Sequence, residues 1–170
     1  PPGIRRTIRE ETYEARELRA ALKLVRRGDR VLELGAGIGY VSAILARKRR
    51  PAHIYAFEAN PRLIPYIRNV YAENGLAHAS VHNAVMAPQP GGPVPFHLRH
   101  SFLASSLDRE ADPAGVTETV HVERLCFADA LADLRPDVLI CDIEGAEASI
   151  LPAADLSSLR AAVVELHPGV

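Results

Sequence analysis

Apolar residues along the chain fall into two spacings. They run nearly unbroken at Val31, Leu32 and Leu34, at Ile54, Ala56 and Phe57, and from Val138 through Leu139 and Ile140 to Cys141, as strands buried on both faces of a parallel sheet do. At Ala15, Leu18, Leu22 and Val25, and again at Leu63, Ile64, Ile67, Val70 and Tyr71, they recur at helical intervals among polar residues. The pattern predicts helices over 12–25, from 41 to about 50, from 60 to 74 and over 127–134, with a broken crossover over 150–159. It predicts strands over 31–34, 53–58, 79–85, 94–98, 120–123, 137–142 and 161–167. Strand and helix alternate, which implies an α/β fold: a mostly parallel sheet with right-handed crossovers, flanked by helices.

Breakers agree with these boundaries. Gly28 follows the first helix, Pro51 the second, and Asn60-Pro61 reads as the capped start of the third, which Asn74-Gly75 stops. Between Met86 and Val116, Pro88, Pro90, Gly91, Gly92, Pro93 and Pro95 mark a turn-rich insertion, with 94–98 a short edge strand and 108–115 a charged loop. His97 and His100 lie in this insertion and read as a plain surface pair, because no helix sets their spacing for a metal. The expected organisation is an N-terminal helical segment, 1–27, packed on the sheet of one compact domain, 28–170. Because the chain opens on Pro-Pro-Gly and stops at Val170 directly after a strand-like run, it reads as a piece of a longer protein.

Composition changes the picture little. A formal charge of -1 offers no overall attraction to nucleic acid or anionic lipid, and Arg26, Arg27 and Arg30, like Arg47, Lys48, Arg49 and Arg50, read as solvated helix ends. No apolar run approaches the ~20 residues of a membrane span. Cys126 and Cys141 form no CxxC pair, which suits a reducing, cytoplasmic setting.

The chemistry gathers at strand ends. Glu33-Leu34-Gly35-Ala36-Gly37-Ile38-Gly39 is a strand running into a glycine turn before a helix, where backbone approaches a ligand closely. A carboxylate just ahead of such a turn repels a pyrophosphate, so a cofactor positive near the turn fits better. Glu58 closes the second strand, where in a Rossmann-like sheet an acid accepts from two ribose hydroxyls. Asn83, at the exit of the third strand, is a candidate to meet the adenine or a nearby backbone group, with an ordinary turn asparagine as the competing reading. Asp142-Ile143-Glu144-Gly145-Ala146-Glu147 delivers Asp142 and Glu144 to the same sheet end, whereas Glu147 reads as decoration of the next helix.

These motifs look like the cofactor half of the class I S-adenosylmethionine-dependent methyltransferases. Ser105-Ser106-Leu107, the strand around Val120 and Val122, Asp142-Ile143-Glu144-Gly145-Ala146-Glu147 and Glu165-Leu166-His167 resemble the FkbM family within it. The resemblance implies that Gly35, Ala36, Gly37 and Gly39 form the methionine-side turn, with Glu33 before it. It also implies that Glu58 and Ala59 meet the ribose and that Asp142 and Glu144 stand between cofactor and acceptor. A final antiparallel hairpin common in that family is missing from this chain.

The implied reaction is methyl transfer to the hydroxyl of a small molecule or sugar, with nucleic acid an unlikely partner and oligomeric state unread. His167, Glu144 or Asp142 would take the hydroxyl proton. A divalent ion on those three residues is the alternative, and metal-free transfer is preferred. A nicotinamide enzyme would show Gly-x-Gly-x-x-Gly, where this chain has Tyr40 at the last position. An amine-methylating enzyme would show an Asn/Asp-Pro-Pro-aromatic stretch in place of Asp142-Ile143-Glu144-Gly145. A noncatalytic cofactor-binding or scaffolding domain, and methylation of RNA or protein, are the remaining alternatives.

Overall fold

In a computed structural model, residues 14–100, 105–108 and 113–167 are described. The expected helix start at Thr12 and positions 109–112 of the charged loop lie outside them.

Seven strands form one sheet: β1 (Arg30–Leu34), β2 (His53–Glu58), β3 (Ala79–Ala87), β4 (Val94–Arg99), β5 (Val116–Cys126), β6 (Val138–Cys141) and β7 (Ala161–Val164). Their order is β4-β5-β3-β2-β1-β6-β7, and every pairing is parallel except β4 with β5. The helices are α1 (Ala15–Leu24), α2 (Tyr40–Arg49), α3 (Ile64–Glu73), α4 (Phe127–Leu134) and the single turn α5 (Glu147–Ile150). This is the Rossmann-like, mostly parallel sheet flanked by helices that strand-helix alternation implies. Among the described residues, no helix is long and apolar enough to cross a membrane.

Side chains on successive strand residues point to opposite faces, which divides the core in two. Val31, Ile54, Ala56 and Ile140 pack with Ala21 and Val25 at α1, Val41 and Leu45 of α2, and Ile67 and Tyr71 of α3. Leu32, Leu34, Phe57, Leu139 and Cys141 pack on the other face with Phe127 and Leu131 of α4 and with Ile150. Burial pushes the Cys141 thiol up to about 12, so it behaves as a core side chain.

Three differences from the sequence pattern have local causes. α3 begins three residues later than Asn60-Pro61 suggests, because the Asn60 carboxamide oxygen accepts the Arg62 N–H in a tight turn and Asn60 O accepts Leu63 N–H. The insertion builds the antiparallel pair: β5 is 11 residues long, with Val94↔Val122 to Arg99↔Val116 pairing β4 and Ala84↔Glu123 to Ala87↔Cys126 pairing β3. His97 is not a surface residue but 7% exposed, its Nδ1 2.9 Å from Thr119 Oγ1, because an inward position of β4 carries it into the sheet.

Strand order reverses at β1, which has β2 on one side and β6 on the other. In open parallel sheets the crevice beyond the carboxyl ends at such a reversal is where ligands bind.

Candidate functional site

The turn from β1 to α2 is tied to the end of β2. Gly35 and Ala36 donate to Phe57 O at 2.9 and 3.1 Å, and Gly37 N–H donates to Glu58 Oε2 at 2.8 Å. The other oxygen, Glu58 Oε1, accepts Asn60 N–H at 2.8 Å. Burial drives the Glu58 carboxyl up to about 7 although these bonds oppose the shift. Gly35 has φ 84, and a Cβ there would stand 1.7 Å from the Asp142 carbonyl oxygen. Only glycine lets β1 and β6 close to this distance at the floor of the cleft.

A cleft opens above this floor, at the sheet end where open parallel sheets bind ligands. Gly35, Gly37, Glu58, Ala59, Asp142 and Glu144 all line it. Phe57, Leu63, Val85, Met86 and Phe96 give it an apolar wall, and Ser105 and Leu107 sit across from the turn. The wall residues from β3 and β4 carry no motif, so nothing in the sequence singles them out, whereas Ser105-Ser106-Leu107 stands out only through the FkbM likeness and with no place in a site. Arg99, 6% exposed, holds that segment: its backbone N–H reaches Ser105 Oγ at 3.1 Å, while Nη1 reaches Ser106 Oγ at 2.8 Å and Nη2 reaches Asp108 O at 2.6 Å.

Other expected cofactor contacts fall elsewhere. Glu33 alternates onto the same face of the sheet as Val31, is 2% exposed, and does not line the cleft. Desolvation, reinforced by Glu17, raises its carboxyl well above the usual range. Ala36 packs into the core, and Gly39, at φ 75, lets α2 start within reach of Ile67 and Tyr71. Asn83 does not reach for an adenine; its Nδ2 donates to Glu58 O and Ala59 O, both at 2.9 Å, and so clamps the end of β2.

The carboxylates that line the cleft are Glu14, Glu58, Asp142 and Glu144 and not Glu33, with Glu17 close by. Burial raises Glu17 to about 8, with Glu14, Asp142 and Glu165 adding to the rise, and burial raises Asp142 to about 6, with Glu165 and Glu144 adding. Glu144, held at φ 55 beside Gly145, and Asp142 flank the ring of His167: its Nε2 is 3.7 Å from Asp142 Oδ1 and 3.7 Å from Glu144 Oε2. Desolvation lowers the basicity of His167, but Glu144, Glu147 and Asp142 together raise it above the ordinary value. Glu147 is no surface decoration: it is 1% exposed and accepts Ile143 N–H and Gly145 N–H, each at 2.8 Å.

The arrangement fits S-adenosylmethionine: an acidic rim for its cationic end, glycine backbone at the floor, a buried acid for hydroxyls and an apolar wall for a base. A family profile agrees. The TRM5/TYW2 methyltransferase domain profile matches residues 11–85, which span α1 to most of β3. Among solved structures, precorrin-6y C5,15-methyltransferase from Geobacter metallireducens GS-15 is 18% identical, with a TM-score of 0.49 over 82% of this chain and 54% of that one. TYW2 of P. horikoshii in complex with MeSAdo is 21% identical, with a TM-score of 0.38 over 42% of this chain and 27% of that one. An rRNA methylase from Streptococcus thermophilus is 14% identical, with a TM-score of 0.37 over 41% and 37%. The chain thus spans from about a quarter to about half of these proteins. No curated protein matches it.

Fold, cleft and matched profile define an S-adenosylmethionine-binding methyltransferase domain. They correct two expectations. The profile that matches is TRM5/TYW2 and not FkbM, since Asp142-Ile143-Glu144-Gly145 and Glu165-Leu166-His167 are short strand-end patterns outside the matched residues 11–85. The reading of nucleic acid as an unlikely partner also loses its support, because it rests on overall charge, which averages over separated patches, and on the FkbM likeness that the TRM5/TYW2 profile replaces.

Proposed function

We propose that this domain transfers a methyl group from S-adenosylmethionine to a nucleotide of an RNA. The observation that carries this reading is a basic surface at the sheet end opposite the cleft. Gly28 N–H donates to Arg50 O at 3.2 Å, which brings the turn after Arg26 and Arg27 against the end of α2, and Arg26, Arg27, Arg47, Lys48, Arg49 and Arg50 are all exposed. Asp29 beneath them is buried and paired with Arg160, so it does little to cancel their field. Such a surface suits a phosphate backbone long enough to reach around the domain.

S-adenosylmethionine supplies the methyl as an activated sulfonium carbon. The chain's own task is then positioning: Glu58 and the Gly35–Gly37 backbone hold the nucleoside end, and Asp142 and Glu144 face the open side where an acceptor must stand in line at roughly 3–3.5 Å. His167 Nε2, between those two carboxylates, is placed to take a proton from the acceptor. This last feature favours a second reading, methylation of a small-molecule hydroxyl, because an alcohol needs a base more than a ring nitrogen does.

Radiolabelled S-adenosylmethionine offered with total RNA and, separately, with a panel of sugars and phenols distinguishes the two. Label in RNA supports the first reading and label confined to the alcohols supports the second. Retention of RNA should fall in a variant with Arg47, Lys48, Arg49 and Arg50 changed to Ser, with the salt slope reduced by roughly one per cation lost from contact. Unchanged retention would remove the basic surface from the argument.

A further inference from the structure

His167 is held in a single role by a buried partner. Its Nδ1 lies 3.2 Å from Glu147 Oε1, and Glu147 is fixed in turn by the N–H groups of Ile143 and Gly145. With the Glu147 carboxylate accepting at this contact, Nδ1 donates, and in the neutral ring Nε2 presents its lone pair. A carboxylate behind a histidine in this manner is the arrangement that orients metal-ligating imidazoles.

In front of Nε2 stand Asp142 Oδ1 and Glu144 Oε2, and one ligand atom from each of the three residues lies within 4.8 Å of the others. Both imidazole contacts, at 3.7 Å, are too long for hydrogen bonds. Atoms bound about 2.1 Å from one ion at about 90–120° to one another lie roughly 3.0–3.6 Å apart, which the two 3.7 Å imidazole contacts approach. Asp142 Oδ1 is in addition sealed from solvent with no hydrogen-bond partner among the described residues. A sealed, unpaired carboxylate oxygen is costly unless something positive meets it.

We infer that Asp142, Glu144 and His167 form a binding site for a divalent cation at the lip of the cofactor cleft. Two carboxylate oxygens and one imidazole nitrogen, without a thiolate, suit an ion of the Mn²⁺ type, and one side faces the cleft where an acceptor oxygen can complete the coordination. There the ion would lower the acceptor's pKa and fix its direction of attack, and His167, with Nε2 on the ion, would act as a ligand in place of its role as the acceptor's base. That use rests on the methyl-transfer reading; binding of the ion does not.

The test is titration of the metal-stripped chain with Mn²⁺, followed by electron paramagnetic resonance, with S-adenosylmethionine affinity measured on the same samples by calorimetry. One saturable site should be weakened roughly tenfold or more in both Glu144→Gln and His167→Ala. It should be unchanged in Glu118→Gln, an exposed acid of β5 paired with Arg62. Absence of saturable binding in folded chain, or binding equal in wild type and both variants, overturns the site. Loss of Mn²⁺ binding with cofactor affinity intact would leave the methyltransferase reading standing, and Mn²⁺ binding without cofactor affinity would do the reverse.

Discussion

Glu58 Oε2 accepts the Gly37 N–H at 2.8 Å, so the acid at the end of β2 and the glycine turn after β1 are parts of one rigid unit. Glu58→Gln puts an amide NH₂ against one of two backbone donors, Gly37 N–H or Asn60 N–H. S-adenosylmethionine binding is expected to weaken by about 1.5–3 kcal/mol, a tenfold to hundredfold rise in Kd by calorimetry. The chain should still fold, since the side-chain shape is kept.

Gly35 and Gly28 separate crowding from backbone strain. Both have positive φ, 84 and 88, but a Cβ at Gly35 strikes the Asp142 carbonyl whereas one at Gly28 meets nothing within 4 Å. Gly28→Ala is expected to cost about 1–2 kcal/mol in urea denaturation, the left-handed penalty alone. Gly35→Ala should cost more than that or prevent folding, because β1 and β6 must separate. Equal costs would mean that the close approach at the cleft floor is not rigid.

Glu33 carries a titration that stability should report. Its carboxyl is raised well above the usual range by burial, so the folded state holds a proton that the unfolded state releases at ordinary carboxylate pH. Stability therefore falls as pH rises above the unfolded value, until the folded group ionises too. Glu58, raised to about 7, and Glu17, raised to about 8, act in the same direction, so thermal midpoints should be higher near pH 5 than near pH 8. Glu33→Gln removes one contributor and should flatten that decline.

Arg99 connects the cleft to the segment across it. Arg99→Met keeps the buried stem but removes the bonds to Ser106 and Asp108, which place Ser105 and Leu107 at the cleft. Proteolysis within 105–108 should speed up and cofactor affinity should drop, while Arg62→Met on the surface leaves both unchanged. Equal protection in the two variants would show that other contacts hold the segment.

Hydrophobic spacing by itself determined the β-α alternation, the mostly parallel sheet and the placing of Gly35, Gly37, Glu58, Asp142 and Glu144 at one end of it. Those features follow from local periodicity and from parallel strands sharing a carboxyl end, and both survive in a linear reading. Which way Glu33 and Asn83 face depended on strand phase and on neighbours in register, so an acid beside the turn became a core residue and an apparent base contact became a clamp on β2. Only the tertiary structure brought Glu147 behind His167, because β6 and β7 are adjacent in the sheet though separated in the chain. It likewise brought the turn after Arg27 against Arg50 at the end of α2, through the Gly28 N–H to Arg50 O bond. Long-range pairing decides such juxtapositions, and the spacing of residues along the chain carries no record of it.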